Sequence, residues 1–362
     1  MIDSNINDIK WMKRAIFLAS LGKHSTSPNP MVGAVILDKD GNLISEGFHY
    51  KSGMPHAEAM AFNNLKKDAR GGTIYVNLEP CCHQGKTPPC VDKIISFGIK
   101  KVYISIEDPD KRVSGKGIKL LKDAGIKVHK GLCERESLEL NKSFIHKNIT
   151  DSAYGVLKWA MSIDGRVGLK NGKSKWITNK DSRLLVHAYR ACFDAIIIGG
   201  NTLRKDNPLL TSRGLRKKEP LRVVFTRTLD LPEKSNLWDC NIARTLVVYD
   251  ASTANKEYLK RIPECVEIEE ISSDNPKLIS NLLAQKGCNN IFWECGPKLA
   301  TSALKAGCIQ ELMTFIAPKI LGGVGSMNPF DDFGFDDLNE VLNLNIPEIS
   351  FIGDDILVKT SI

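Results

Sequence analysis

Pro55-His56-Ala57-Glu58, followed by Leu78-Glu79-Pro80-Cys81-Cys82-His83-Gln84-Gly85-Lys86-Thr87-Pro88-Pro89-Cys90, is the pair of stretches whose reading decides the fold. His56, Cys81 and Cys90 offer one imidazole and two thiolates, a donor set suited to Zn²⁺ that leaves a fourth tetrahedral position for water. Glu58 lies two residues after His56 and can point into the same cavity, where a carboxylate not bound to the metal passes protons from water to a departing amine. That is the equipment of a zinc hydrolytic deaminase. A lone His-x-Glu or Cys pair is more often core filling. Here the set brackets two elements: an apolar helix after Gly53-Met54-Pro55, and a buried strand, Thr73-Ile74-Tyr75-Val76-Asn77-Leu78.

Working outward, Ile9 to Leu21 carries apolar residues at helical spacing and stops at Gly22. Ser27-Pro28-Asn29-Pro30 reads as a turn, Val32 to Leu37 as a strand, Asp38 to Gly41 as a hairpin turn and Leu43 to Gly47 as its partner. A helix is expected over Val91 to Phe97, a strand over Val102 to Ile106, a helix near Gly117 to Ala124, a short strand at Ile126 to Val128 and a polar helix over Glu134 to Lys147. Alternating strand and helix predicts an α/β domain of three layers.

Near Asp151 the pattern restarts. Tyr154 to Ala160, Ala195 to Ile198, Leu221 to Phe225, Thr245 to Tyr249 and Ile291 to Glu294 are strand candidates separated by helical stretches, which predicts a second α/β domain. Gly214 to Pro220 reads as a solvated loop. The expected domains are residues 1–150 and 151–362. A chain of 362 residues exceeds a typical single core. The 42% hydrophobic and 25% charged fractions are those of a globular enzyme. No run of 18 apolar residues occurs and Met1-Ile2-Asp3-Ser4 opens no charged-then-apolar leader, so neither a membrane span nor a secretory signal is expected. Ten scattered cysteines then point to reduced thiols in the cytoplasm. The net charge of +8, spread without a long basic run, favours small phosphorylated ligands over nucleic acid.

The motifs resemble those of the bifunctional riboflavin-biosynthesis proteins, in which a diaminohydroxyphosphoribosylaminopyrimidine deaminase precedes a 5-amino-6-(5-phosphoribosylamino)uracil reductase. The front half carries Pro28-Asn29-Pro30-Met31-Val32-Gly33, Pro55-His56-Ala57-Glu58 and the Leu78 to Cys90 run. Eight residues separate Cys81 from Cys90, where many nucleobase deaminases place two. The back half carries Leu157 to Arg166, Ser174 to Thr178, Asp194 to Gly200, Thr202 and Asp206 to Arg213. The resemblance implies a cytidine-deaminase-like domain with one zinc ion, followed by a dihydrofolate-reductase-like domain using NADPH.

Residue by residue, it implies that Asn29 hydrogen-bonds the pyrimidine, that His49, His83, Lys86 and Asp108 hold ring or ribose phosphate, and that activated water attacks the amine-bearing carbon. In the second domain it implies NADPH contacts from Ala160, Trp176, Thr202, Asp206 and Gly296, and substrate contacts from Lys158, Ser174, Arg190, Leu210, Arg213 and Glu294. The hydride would go to C1′ of the opened ribose. No Gly-x-Gly-x-x-Gly follows the first strand of that domain, which disfavours a Rossmann site. Gly199-Gly200-Asn201-Thr202 and Glu294-Cys295-Gly296-Pro297 instead offer helix starts suited to a pyrophosphate.

Three departures stand out. Cys82 replaces the usual Ser or Thr, but successive residues at a strand end point apart, so Cys81 is taken as the ligand. Cys295 occupies a position usually held by glycine or another small residue. Thr226 and Arg227 replace a more usual Asp at a strand end and are placed near the 2′-phosphate of NADPH. Plainer roles compete: Trp176 as core, Arg190 as a helix-surface charge, Asp206 as a turn or cap. A tRNA-type deaminase leaves about 210 C-terminal residues unexplained. A structural zinc requires a fourth protein ligand, for which Cys82 or His83 is the nearby candidate. Small phosphorylated pyrimidines and further copies of the chain, forming a homo-oligomer, are the expected partners.

Overall fold

Gly33-Ala34-Val35-Ile36-Leu37 is apolar throughout because both faces of the strand it forms, β1 (Gly33–Leu37), are covered. The computed structural model describes residues 6–83, 88–323 and 325–362 and divides the chain into two units, residues 1–150 and 151–362. In the first unit β1 pairs antiparallel with β2 (Leu43–Phe48) and with β3 (Thr73–Leu78), whereas β4 (Lys101–Ile106) and β5 (Lys127–Lys130) continue parallel from β3. Among the described residues the sheet order is β2-β1-β3-β4-β5.

Ala34 and Ile36 meet α2 (Ala57–Asn63), α3 (Cys90–Ser96) and α4 (Lys116–Asp123), while Val35 and Leu37 meet α1 (Ile6–Ser20); α5 (Glu134–Thr150) adds Phe144 against Leu78 and Ile106. Helix, sheet and helix make the three layers. Each fully buried Ile or Val in this core contributes about 1.5–3 kcal/mol. Two glycines set how closely helices approach the sheet. A Cβ at Gly47 on β2 would lie 2.4 Å from Ala61 N, and one at Gly117 on α4 would lie 2.4 Å from the Pro80 carbonyl oxygen. Any side chain there would push α2 away from the sheet or α4 away from the end of β3.

The second unit holds, among its described residues, a sheet of order β10-β9-β8-β7-β11-β6-β12-β14-β13. Its strands are β6 (Tyr154–Ser162), β7 (Ala195–Gly199), β8 (Leu221–Thr226), β9 (Thr245–Asp250), β10 (Glu267–Ile271), β11 (Asn290–Trp293), β12 (Glu311–Ala317), β13 (Glu348–Ile352) and β14 (Asp355–Ser361). All pairs are parallel except β12 with β14 and β14 with β13. Ile196, Ile198 and Phe292 pack toward α6 (Lys180–Ala191) and α7 (Gly200–Asp206), whereas Ala195, Ile197 and Trp293 pack toward α8 (Pro276–Gln285) and α9 (Pro297–Lys305).

Ile291 to Glu294 is therefore not the last strand, as the sequence suggested. The run Leu312-Met313-Thr314-Phe315-Ile316-Ala317 has no period that separates strand from helix, and it is a strand because β6 and β14 flank it. The Gly214 to Pro220 segment is a loop, exposed at Gly214, Leu215, Lys217 and Lys218 and tied down by two of its charges. Arg216 Nη2 lies 3.7 Å from Asp194 Oδ1, and Glu219 accepts from the Ser212 N–H and hydroxyl at 2.6 and 2.8 Å. No helix among the described residues is long and apolar enough to cross a membrane.

Candidate active sites

In the first unit three chain segments deliver the metal-type donors to one point. His56 is the N-cap of α2, Cys81 follows β3, and Cys90 is the first residue of α3. One ligand atom from each lies within 4.8 Å of the others. His56 Nδ1 is 3.4 Å from Cys81 Sγ and 3.5 Å from Cys90 Sγ, and the Cys90 N–H donates to Cys81 Sγ at 3.4 Å. The Cys90 thiol and His56 hold the Cys81 thiol down at about 4, against the pull of burial. A soft, partly ionised set of two sulfurs and one imidazole nitrogen fits zinc.

Cys82 Sγ turns instead to the Arg112 carbonyl oxygen at 3.9 Å and stays outside the set, as does His83. Among the described residues a structural zinc thus lacks its fourth ligand. Glu58 also stays outside the set, is 3% exposed, and lies close enough to the Cys90 thiol to interact with it electrostatically. Burial, helped by the charge of Cys81, lifts its carboxyl to about 7, where a group both accepts and returns a proton near neutral pH.

Around this centre Asn29 Nδ2 lies 3.0 Å from His49 Nε2, and His49 Nδ1 lies 3.1 Å from the Pro55 carbonyl oxygen. Burial lowers the His49 pKa, so the ring is neutral. Nδ1–H then donates to Pro55, Nε2 accepts from Asn29, and Asn29 Oδ1 is left to accept from a ligand. The His49 and His56 rings meet edge to face at 5.6 Å. Asp108 is buried at the end of β4, its carboxyl lifted to about 7 by burial. His83 Nδ1 is buried without a hydrogen-bond partner among the described residues. Lys86 lies outside the described residues.

Sequence reading passed over three residues that hold this site in place. Glu79 accepts from the backbone N–H groups of Asp108, Gly115 and Ile118 at 3.2, 2.9 and 3.1 Å, tying the Pro80-Cys81 segment to the loop after β4 and to α4. Asn77 bridges the Met31 carbonyl oxygen and the Gly33 N–H, and Asn141 pairs both backbone groups of Met31 at 2.9 and 2.8 Å. Together they fix the loop that presents Asn29.

In the second unit a cavity of about 770 Å³ opens at the carboxyl ends of β6, β7 and β11. Ala160, Trp176, Thr202, Asp206 and Gly296 line it, and so do Lys158, Ser174, Arg190, Leu210, Arg213 and Glu294. Arg190 is no surface charge: its Nε and Nη2 donate to the two Glu294 oxygens at 2.6 and 3.0 Å, and both side chains are nearly buried. Burial alone would raise the Glu294 carboxyl, but Arg190 and Lys158, whose Nζ is 3.9 Å away, hold it below its ordinary value. Burial lowers the Lys158 pKa in turn.

Trp176 is not core: it is 64% exposed and stacks under the Arg183 guanidinium at 4.5 Å. Asp206 ends α7 and lies 3.5 Å from Lys175 Nζ. Gly296 is the N-cap of α9 without a side-chain cap, and a Cβ there would lie 4.0 Å from the Thr202 hydroxyl. Both features fit a dinucleotide, whose pyrophosphate needs uncapped N–H groups and close backbone approach.

Thr226 and Arg227, at the end of β8, are not among the residues lining this cavity; the buried Thr226 hydroxyl accepts from the Leu229 N–H at 3.2 Å because the chain turns back directly after β8. Arg227 is exposed, 3.7 Å from Asp274. His187, which the sequence reading omitted, also lines the cavity, its Nδ1 3.0 Å from the Thr211 carbonyl oxygen. Its position one helical turn before Arg190 on α6 was the available clue.

The cytidine and deoxycytidylate deaminase zinc-binding region matches residues 5–106, and the RibD C-terminal domain matches residues 153–358. The riboflavin biosynthesis protein RibD of Synechocystis sp. is 41% identical over 352 residues, covering 97% of this chain and 95% of its own. Among solved structures, RibD of Acinetobacter baumannii has a TM-score of 0.87 at 35% identity, over 98% of each chain. A diaminohydroxyphosphoribosylaminopyrimidine deaminase/5-amino-6-(5-phosphoribosylamino)uracil reductase from Thermotoga maritima has the same TM-score at 34% identity, over 98% of each chain.

Proposed function

The chain belongs to the RibD family, the bifunctional deaminases and reductases of riboflavin biosynthesis, and on that premise we propose which of its residues carry the two reactions. Its first unit has the cytidine-deaminase-like fold and its second the dihydrofolate-reductase-like fold of that family. We take the substrate to be 2,5-diamino-6-(5-phosphoribosylamino)pyrimidin-4(3H)-one, deaminated in the first unit and then reduced in the second to 5-amino-6-(5-phosphoribitylamino)uracil, the chemistry named for the Thermotoga relative.

His56, Cys81 and Cys90 would hold the zinc ion, and Ala160, Trp176, Thr202, Asp206 and Gly296 the nicotinamide cofactor. When bound, zinc supplies the Lewis acidity that makes water nucleophilic near neutral pH, and the nicotinamide supplies a hydride. In the first unit Glu58 moves protons through its carboxylate oxygens, helped by a pKa of about 7. Asn29 Oδ1, aimed by neutral His49, accepts from the pyrimidine ring; His83, Lys86 and Asp108 complete the binding surface. In the second unit Arg190, locked by Glu294 and with Nη1 on the Thr211 carbonyl oxygen at 3.4 Å, adds its positive charge to the substrate-binding wall beside Lys158, Ser174, Leu210 and Arg213. Arginine forks suit the 5-phosphate. Arg227 supplies a positive charge for the 2′-phosphate of NADPH, which makes NADPH the preferred donor; Thr226 shapes the turn that carries it.

The observation that carries this reading is the convergence of His56, Cys81 and Cys90 with Glu58 beside them and outside the set. A cytoplasmic location agrees with the free state of the cysteines. Assembly as a homo-oligomer agrees with the apolar edge strand β13, where Ile349 and Phe351 are 63% and 75% exposed. No long basic run speaks for nucleic acid. Incubating the protein with the phosphoribosyl diaminopyrimidine, with and without NADPH, and weighing the products tests the assignment. Without NADPH only the deaminated intermediate should accumulate, and with NADPH the ribityl product. A reduced but still aminated product would contradict the assignment.

A further inference from the structure

Cys240 and Cys265 stand outside both sites and face each other on the loops that enter β9 and β10. Cys240 Sγ donates to the Cys265 carbonyl oxygen at 3.2 Å and Cys265 Sγ to the Trp238 carbonyl oxygen at 3.5 Å, so each thiol lies against the other's chain segment. Cys265 is exposed and Cys240 half-buried. Beneath them lies Arg222 on β8, fully buried. Its Nη2 donates to the carbonyl oxygens of Leu237, Asp239 and Ala243 at 2.9, 2.9 and 2.6 Å, and its charge reaches both sulfurs. This guanidinium is paired with backbone carbonyls, dipoles without full charge, so its positive field is felt by the thiols above it. Of the two, the exposed Cys265 is the thiol that a dissolved oxidant reaches.

We propose that Cys240 and Cys265 form a modification site at which a hydroperoxide converts two thiols into a reversible disulfide. The Cys265 thiolate attacks the peroxide O–O bond; an S–O bond forms, hydroxide leaves and takes up the thiol proton as water, and Cys265 becomes a sulfenic acid. The Cys240 thiol then attacks that sulfur, the S–S bond forms, and the sulfenic oxygen departs as a second water. Two electrons pass from the thiols to the peroxide, and two thiols plus hydrogen peroxide give one disulfide plus two waters. Exposure sets the order, because Cys265 meets solvent first. Cys240, held up at about 11 by burial and by Cys265, is the resolving thiol. The bond would tie the loop that cages Arg222 to the loop before β10.

The test treats the full-length, zinc-loaded chain with hydrogen peroxide, blocks remaining thiols, and maps peptides without reduction. The expected result is a cross-link between the Cys240 and Cys265 peptides, with loss of the mass of two hydrogens, restored by dithiothreitol. It should be absent in Cys240→Ser and in Cys265→Ser. In Cys240→Ser, dimedone should capture a sulfenic acid at Cys265. A cross-link confined to other cysteines, or oxidation of Cys265 to sulfinic acid in the parent chain while Cys240 remains a free thiol, overturns the proposal.

Discussion

The two sites are built by opposite means. The metal-type centre takes its donors from the N-cap of one helix, the first residue of another and the segment after one strand, all within 35 residues, so residue type and spacing nearly define it. The reductase cavity depends on charges brought from far apart: Arg190 and Glu294 are 104 residues distant in the chain yet form a buried, two-pronged pair. A site made of obligatory ligand types is fragile at single atoms; a site made of a buried ion pair is fragile in its fold. Substitutions in the two units should therefore fail differently.

The largest effect is expected at the atom-limited site. Glu58→Gln should lower the deaminase kcat by about 10²–10⁴, while NADPH oxidation on the deaminated intermediate is unchanged; parallel loss of both rates would erase the contrast. Next, Glu294→Ala leaves Arg190 buried without its carboxylate. Denaturant unfolding should show the second unit weakened by about 3–5 kcal/mol, with ammonia release intact. A variant that lost only reductase rate at full stability would make the pair a binding device alone.

An intermediate effect is expected from pH. Burial lifts Asp108 to about 7, against roughly 4 in an unfolded chain. The fold thus favours the neutral acid, whose stabilisation is complete below the unfolded value and is lost as pH rises through 7. Asp108→Asn should flatten the fall in melting temperature between these limits; an unchanged slope would remove Asp108 from the account. A smaller change should follow Arg227→Ala: the KM for NADPH rising about tenfold with that for NADH steady. Equal shifts in both would place Arg227 away from the 2′-phosphate. The smallest is Cys82→Ser, for which metal analysis should still find one zinc per chain. A drop in zinc content would return Cys82 to the ligand set.

What could be read without coordinates follows the same divide. The β1 run and the ligands His56, Cys81 and Cys90 are legible because burial and metal chemistry demand particular residue types. Glu79, Asn77 and Asn141 escape notice because a carboxylate or amide bonded to backbone leaves no spacing rule; only the fold brings Asn141 to Met31. In the second unit the cavity-lining residues came from resemblance, and Arg190 by itself is indistinguishable from a surface charge until Glu294 is seen against it. Strands β12 to β14 went unread for a related reason: their partners, not their own periodicity, decide their state.

The central claim is that one metal serves one unit only. The direct measurement is to strip the full-length chain with a chelator, then assay ammonia release from the aminated substrate and NADPH oxidation on the deaminated intermediate in the same preparation. The account predicts that ammonia release disappears and returns with added zinc, while NADPH oxidation continues throughout. Ammonia release that survives metal removal would contradict it.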